Sequence, residues 1–198
     1  MPTSLPSCNT LSALTTLTCS GLYEAGGVDA RIYIGRRSDI ATVTSGAAGI
    51  TALTLTGSAK LIKLIGKPYV NSSNSEDGDL TSNSRLKTHT VTWVGNQVTQ
   101  AETDALEALG NSRNLFVIVE LESGKFQVYG LDKNPATGLF TDARRGLMAK
   151  VTISKSAEIN TPNSAQVVFS ASDMYSHPVA FGEASTNAAN ITALEALC

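Results

Sequence analysis

Charge is the scarcest commodity in this 198-residue chain. Asp, Glu, Lys and Arg together make up 16% of it, against an average of about 25%. Net charge is −2. A sequence-independent nucleic-acid binder carries a basic excess, and none is present. The basic clusters, Arg36-Arg37 and Arg144-Arg145, are each two residues long. They read as solvated loop charges, or as partners for acidic groups on another copy. Aromatic residues are 6% of the chain, with a single tryptophan. The three cysteines, Cys8, Cys19 and Cys198, form no C-x-x-C pair. That spacing excludes a zinc or thioredoxin-type motif and reads as free thiols rather than a disulfide framework. No apolar run approaches the ~20 residues that span a bilayer as a helix. The N-terminal stretch lacks a basic n-region and is interrupted by Ser and Thr, so it reads as a poor secretion signal.

Thr, Ser, Asn, Ala and Gly fill the space that charge leaves. The mixture suits β-strands joined by polar turns, and a surface partly covered by neighbouring subunits, since interface cores are depleted in charge. Val28, Ala30, Ile32 and Ile34 alternate with Asp29, Arg31 and Tyr33, a period of two that predicts a strand with one buried face. Residues 50–56 and 60–70 continue the β pattern, with Pro68 placing the latter at an edge. Residues 71–84 contain almost no apolar side chain and predict a long polar loop. Residues 85–94 alternate again. With 60–70 they predict a long hairpin whose tip projects from the core. Thr99 and Glu102 form a capping box ahead of the apolar stripe Ala101, Ala105, Leu106, Ala108 and Leu109, a helix stopped by Gly110-Asn111. NLFVIVEL (114–121) predicts a central strand, and Glu122-Ser123-Gly124 turns it back into KFQVYG (125–130). Strands are predicted near 147–154 and 164–171. The tail from 183 can form a short helix.

The expected fold is therefore mainly β: an antiparallel sandwich or barrel with one flanking helix and a long hairpin loop. The domain plan is an N-terminal arm (1–25), a β domain (26–182) and a C-terminal extension (183–198).

No catalytic constellation emerges. His89 sits in a strand and His177 in a loop, with nothing to bring them together, so each reads as a structural or surface histidine. There is no G-x-S-x-G elbow, H-E-x-x-H, Walker loop or G-x-G-x-x-G. Cys19 reads as a small buried residue. Glu76, Asp77 and Asp79 lack the spacing of a calcium loop and read as an acidic loop tip. Glu102, Asp104 and Glu107 suit the positive end of a helix dipole. No catalytic, cofactor-binding or metal-ligating residue is assigned and no cofactor is expected. Tyr69, Trp93, Phe126 and Tyr129 read as core, with a sugar-binding platform as the alternative.

The order of these signals resembles the tail tube (major tail) proteins of tailed phages, in particular a group found in phages and prophages of Bacteroidetes-type hosts. The matching elements are GGVDARIYI (26–34), the long hairpin, the strand and helix from Arg85 to Gly110, NLFVIVELESGKFQVYG (114–130) and QVVFSAS (166–172). They cover about residues 19–182. The extension after Gly182 departs from that pattern. The resemblance implies a virion protein, built in the bacterial cytoplasm, that forms hexameric rings stacked into a tube. Sheath, tape measure and tail terminator proteins would be its partners, and DNA would pass without specific binding. The 71–84 loop and both termini would contact the next ring. A capsid decoration protein or a carbohydrate-binding sandwich is the alternative.

Overall fold

A computed structural model describes residues 28–46, 49–67, 70–78, 86–96, 100–132, 140, 146–154, 164–182 and 186–198. Eleven strands, β1 (Val28–Arg36), β2 (Ile40–Gly46), β3 (Gly49–Leu55), β4 (Ile62–Ile65), β5 (Ser72–Asp77), β6 (Lys87–Asn96), β7 (Leu115–Leu121), β8 (Phe126–Tyr129), β9 (Met148–Ser154), β10 (Ser164–Met174) and β11 (Val179–Phe181), are joined by α1 (Gln100–Gly110) and α2 (Asn187–Ala196). They form a seven-stranded sheet in the order β2-β3-β11-β8-β7-β1-β4 and a four-stranded sheet in the order β5-β6-β10-β9. Every pairing is antiparallel except β11 with β3. The mainly β sandwich with a flanking helix is thus present, and the sheets are open rather than closed into a barrel.

The continuous apolar run of β7 follows from its position. Val117 and Val119 point into a core shared with the four-stranded sheet, where they meet Val91, Trp93, Val167 and Phe169. Phe116 and Ile118 point the other way, into a second core with Tyr33, Phe126 and Leu194. A strand buried on both faces has no side free for polar residues. β6 and β10 have only one buried face, so they alternate instead. At the β7–β8 turn Gly124 has φ +76°, a left-handed conformation that favours glycine.

The predicted hairpin is re-paired. Ile62–Ile65 leaves the four-stranded sheet and pairs with β1, as the edge of the large sheet. The hairpin partner of β6 is Ser72–Asp77, inside the stretch expected to be loop. The ladder is made by backbone groups, so an edge strand forms without apolar side chains. The chain changes sheets over Trp93. A Cβ on Gly66 would lie 2.6 Å from the indole nitrogen and from the Val94 carbonyl oxygen. Buried Asn71 fixes the crossing, donating to the Lys67 carbonyl (2.7 Å) and accepting from the Val94 amide (2.9 Å).

α1 buries Leu106 and Leu109 and lies against β9. Thr99, of the expected capping box, lies outside the described residues. α2 is no appendage. Thr186 caps it by accepting from the Ala189 amide. Leu194 is fully buried, with Ile191 and Leu197 packed beside it. Its ends are tied to the large sheet. Asn187 donates to Glu120 (3.1 Å), Lys63 pairs with Glu195, and the Leu61 amide donates to the Leu197 carbonyl (2.8 Å). Among the described residues no helix is long and apolar enough to cross a membrane. Leu194→Ala is expected to destabilise the protein by about 2–5 kcal/mol, the cost of a large-to-small change in a core, measured by urea denaturation.

Candidate functional site: an open hydroxyl-rich sheet on a buried polar anchor

The register of the four-stranded sheet decides which face is free. Val91 and Trp93 of β6, with Ala165, Val167 and Phe169 of β10, turn inward. Thr88, Thr90, Thr92 and Val94 therefore share the outer face with Gln166, Val168 and Ser170. β5 adds Ser72, Asn74 and Glu76, opposite Thr92, Thr90 and Thr88. β9 adds Met148, Lys150 and Thr152, opposite Ser170, Val168 and Gln166. The result is a broad surface of hydroxyls and amides carrying little charge. Among the described residues neither edge, β5 or β9, has a further neighbouring strand in this sheet.

One end of the sandwich is held by a polar network. Arg37 and Asp132 form an ion pair at 3.5 Å, each side chain only 1% exposed. Arg37 also donates to the carbonyls of Gly130 (3.1 Å) and Phe140 (3.4 Å). The second Asp132 oxygen accepts from the Tyr175 amide. His89 completes the link. Its Nδ1 accepts from the Gly130 amide (3.3 Å) and its Nε2 donates to the Ser176 carbonyl (2.8 Å). One ring nitrogen accepts and the other donates, which is the pattern of neutral imidazole. Burial pushes its pKa down, opposed by the Ser176 carbonyl and the Asp132 charge. Arg37 is therefore not the solvated loop charge or partner to another copy that its sequence context suggested. The loops of its own chain wrap it, and only Arg36 is exposed. Arg144 and Arg145 lie outside the described residues.

The structure also brings the two histidines to one end of the sheet, which their sequence positions concealed. Ser75, which carries His177, lies opposite His89 across the β5–β6 pair. His177 Nδ1 is 2.8 Å from Ser75 Oγ, and its Nε2 is 3.2 Å from Asp77. The set has the composition of a Ser-His-Asp relay but not its environment. His177 is 54% and Asp77 64% exposed, at an edge strand. Lys87 engages the Asp77 carboxylate and, as the largest influence, holds its pKa below the usual range. Charge developing there would be solvated by water, without the dry, preorganised donors that acyl transfer uses.

The remaining sequence features are placed plainly. Glu76 accepts from Asn74 and Asp104 from Gln100. Asp79 lies outside the described residues. Among those residues no cluster of three or more His, Cys, Asp or Glu could hold a metal. Trp93, Phe126 and Tyr129 are buried and divided between the two cores, so they do not form a sugar platform. Tyr69, Cys8 and Cys19 are outside the described set. Cys198 is a free thiol whose Sγ donates to the Leu194 carbonyl, its pKa raised by burial.

Arg37→Met strands a buried carboxylate and is expected to cost about 3–5 kcal/mol, read from the denaturation midpoint. His89 gives a pH dependence of definite sign. Its folded pKa lies below the ordinary value of about 6.5, so the unfolded chain takes up the proton first. Stability is then complete above the unfolded pKa and falls as pH drops through 6.5 toward the folded value. Tm is expected to fall between pH 7 and 5 in the wild type. In His89→Gln it should start lower at pH 7 and change less over that range.

Comparison with known protein families, with curated proteins and with solved structures gives no match.

Proposed function

We propose that the protein is a non-enzymatic structural subunit that assembles head to tail through the edges of its four-stranded sheet. Stacked rings of it would form a phage tail tube, the conduit for DNA ejection. The observation that carries this reading is the pair of open edges. β5, β6, β10 and β9 alternate in direction, so β5 and β9 run oppositely. An even-stranded antiparallel sheet repeated by rotation brings β9 of one copy against β5 of the next in antiparallel pairing. Such a heterologous contact closes into a ring and removes both edges at once. The edges are also complementary. β5 carries Glu76, while β9 carries Lys150 and the 54%-exposed Met148.

The outer face of that sheet would line the lumen. Its hydroxyls and amides offer phosphate few fixed cations, and cations are what hold DNA. A conduit that does not retain its cargo needs such a wall. The ring number of six, the virion location and the sheath, tape measure and terminator partners come from the resemblance to tail tube proteins.

Purified protein is expected to form rings or tubes in negative-stain micrographs. Lys150→Glu should weaken ring formation while leaving thermal stability within about 0.5 kcal/mol of wild type, as for other surface changes. Combining it with Glu76→Lys should restore part of the assembly. A monodisperse monomer at high concentration in several buffers would sink the proposal.

A further inference from the structure

Among the described residues four large apolar side chains stay exposed: Ile62, Ile65, Val70 and Met148. Ile62 (52%) and Ile65 (64%) both lie on β4, which among those residues has β1 on one side and no strand on the other. Three positions apart on a strand, they belong to opposite faces. Leu64, on the face of Ile62, packs against the core shared with the four-stranded sheet, while Lys63, on the face of Ile65, reaches Glu195 of α2. A cavity of about 300 Å³ lies between β4 and α1, lined by Ile62, Ile65, Trp93, Gly95, Glu102 and Leu106 among others. A second, of about 280 Å³, continues along α1 toward Arg36, Asp39 and Lys60. Together they make a trough along a strand edge.

An open edge takes up another strand, and symmetry restricts how a second copy of β4 can pair with the first. Two copies paired antiparallel are related by a two-fold axis normal to the sheet, so residues opposite each other lie on the same face. Two registers centre on β4. One sets Lys63 opposite Lys63, which like charges disfavour. The other sets Leu64 opposite Leu64, Lys63 opposite Ile65 and Ile62 opposite Gly66. Both exposed isoleucines then find a place. The stem of Lys63 covers Ile65, while its ammonium keeps Glu195 of its own chain. Ile62 lies over Gly66, the residue without a side chain that rests on Trp93, beside the cavity that Trp93 and Ile65 line. The other charges agree with this register. Lys67 falls opposite Leu61. Lys60 and Ile62 line the same α1-facing cavity, so Lys60 of the second copy, carried past Gly66, comes to the end of the trough where Glu102 lies, and the reverse pair repeats it. Arg36 and Asp39, of opposite sign, stand at the far end of each trough. Pro68, with no N–H, ends the ladder.

We propose that β4 is a homodimer contact, in which two copies pair antiparallel about a two-fold axis at Leu64 and their seven-stranded sheets join edge to edge. The contact is isologous, the same patch on both copies, so it closes at two. It uses the large sheet, whereas ring assembly uses the edges of the four-stranded sheet, and it holds whether or not rings form.

The test uses the full chain carrying Lys150→Glu, which weakens the ring contact if that reading is right and is a surface change if it is not. Cys8→Ser, Cys19→Ser and Cys198→Ser remove the native thiols. Lys63→Cys is made in one preparation and Ile65→Cys in another. Directly opposed positions come within disulfide reach, and positions two residues out of step do not. Mixed under mild oxidation, the two chains are expected to give a disulfide-linked heterodimer, with little homodimer from either alone. Absence of the heterodimer, or Lys63→Cys homodimer as the main product, would overturn the proposal. With the native cysteines in place, sedimentation equilibrium of the Lys150→Glu chain should show monomer and dimer in exchange. Adding Ile65→Lys sets a lysine opposite Lys63 twice across the axis, and should raise the dissociation constant about tenfold while Tm is unchanged, because Ile65 is exposed. A single monomeric species at high concentration, or a dimer indifferent to Ile65→Lys, would overturn it as well. Rings are read separately by microscopy of the chain with Lys150, so the two proposals can fail independently.

Discussion

Two adjacent strands, β1 and β7, are buried on both faces, and that constraint places everything else. A strand in this position must supply apolar side chains to two cores, and each core needs its own cover. The four-stranded sheet and α1 cover one, where Ile32, Ile34, Val117 and Val119 point. α2 covers the other, over Tyr33, Phe116 and Ile118. The layers are therefore unequal in role. The seven-stranded sheet is the wall that both sides use, while the four-stranded sheet has one face left over. That remaining face is shaped by the alternation of β6 and β10.

Wherever burial is two-sided or strictly alternating, the sequence was readable. Residues 115–119 (LFVIV) have no polar interruption because neither face of β7 is free, and the return strand follows a glycine turn. Helix α1 announced itself by its apolar stripe. Edge strands were harder to see, because they bury little. β2 exposes most of its side chains, and β5 is built from serine, asparagine and acids. Nothing in their composition separates them from loop. β11 is three residues long and too short for any period to register.

The buried anchor was invisible for a different reason. Arg37 and Asp132 are 95 residues apart, and His89 bonds to groups 41 and 87 residues away. Local sequence shows a charge pair and a lone histidine, and gives no sign that three connections meet around them. His89 reads locally as a structural or surface histidine, and only the fold gives it its buried partners. For Arg37 the local reading failed, because a basic pair beside a turn is usually solvated and here the loop ends at 130–132 and 175–176 enclose it.

The three residues of β11 have a consequence for how the chain comes to exist. Among the described residues they are the sole bridge within the large sheet between the β2–β3 pair and β8. On a ribosome the chain emerges from its N-terminal side, so β3 and β8 wait, unjoined, until Val179–Phe181 arrives. Forty-nine residues lie between Tyr129 and Val179, an interval of seconds at about 5–20 residues per second. The sheet is thus sealed from its late end, like an arch whose keystone is cut last, and a chain truncated before 179 keeps its central strands but not a continuous sheet.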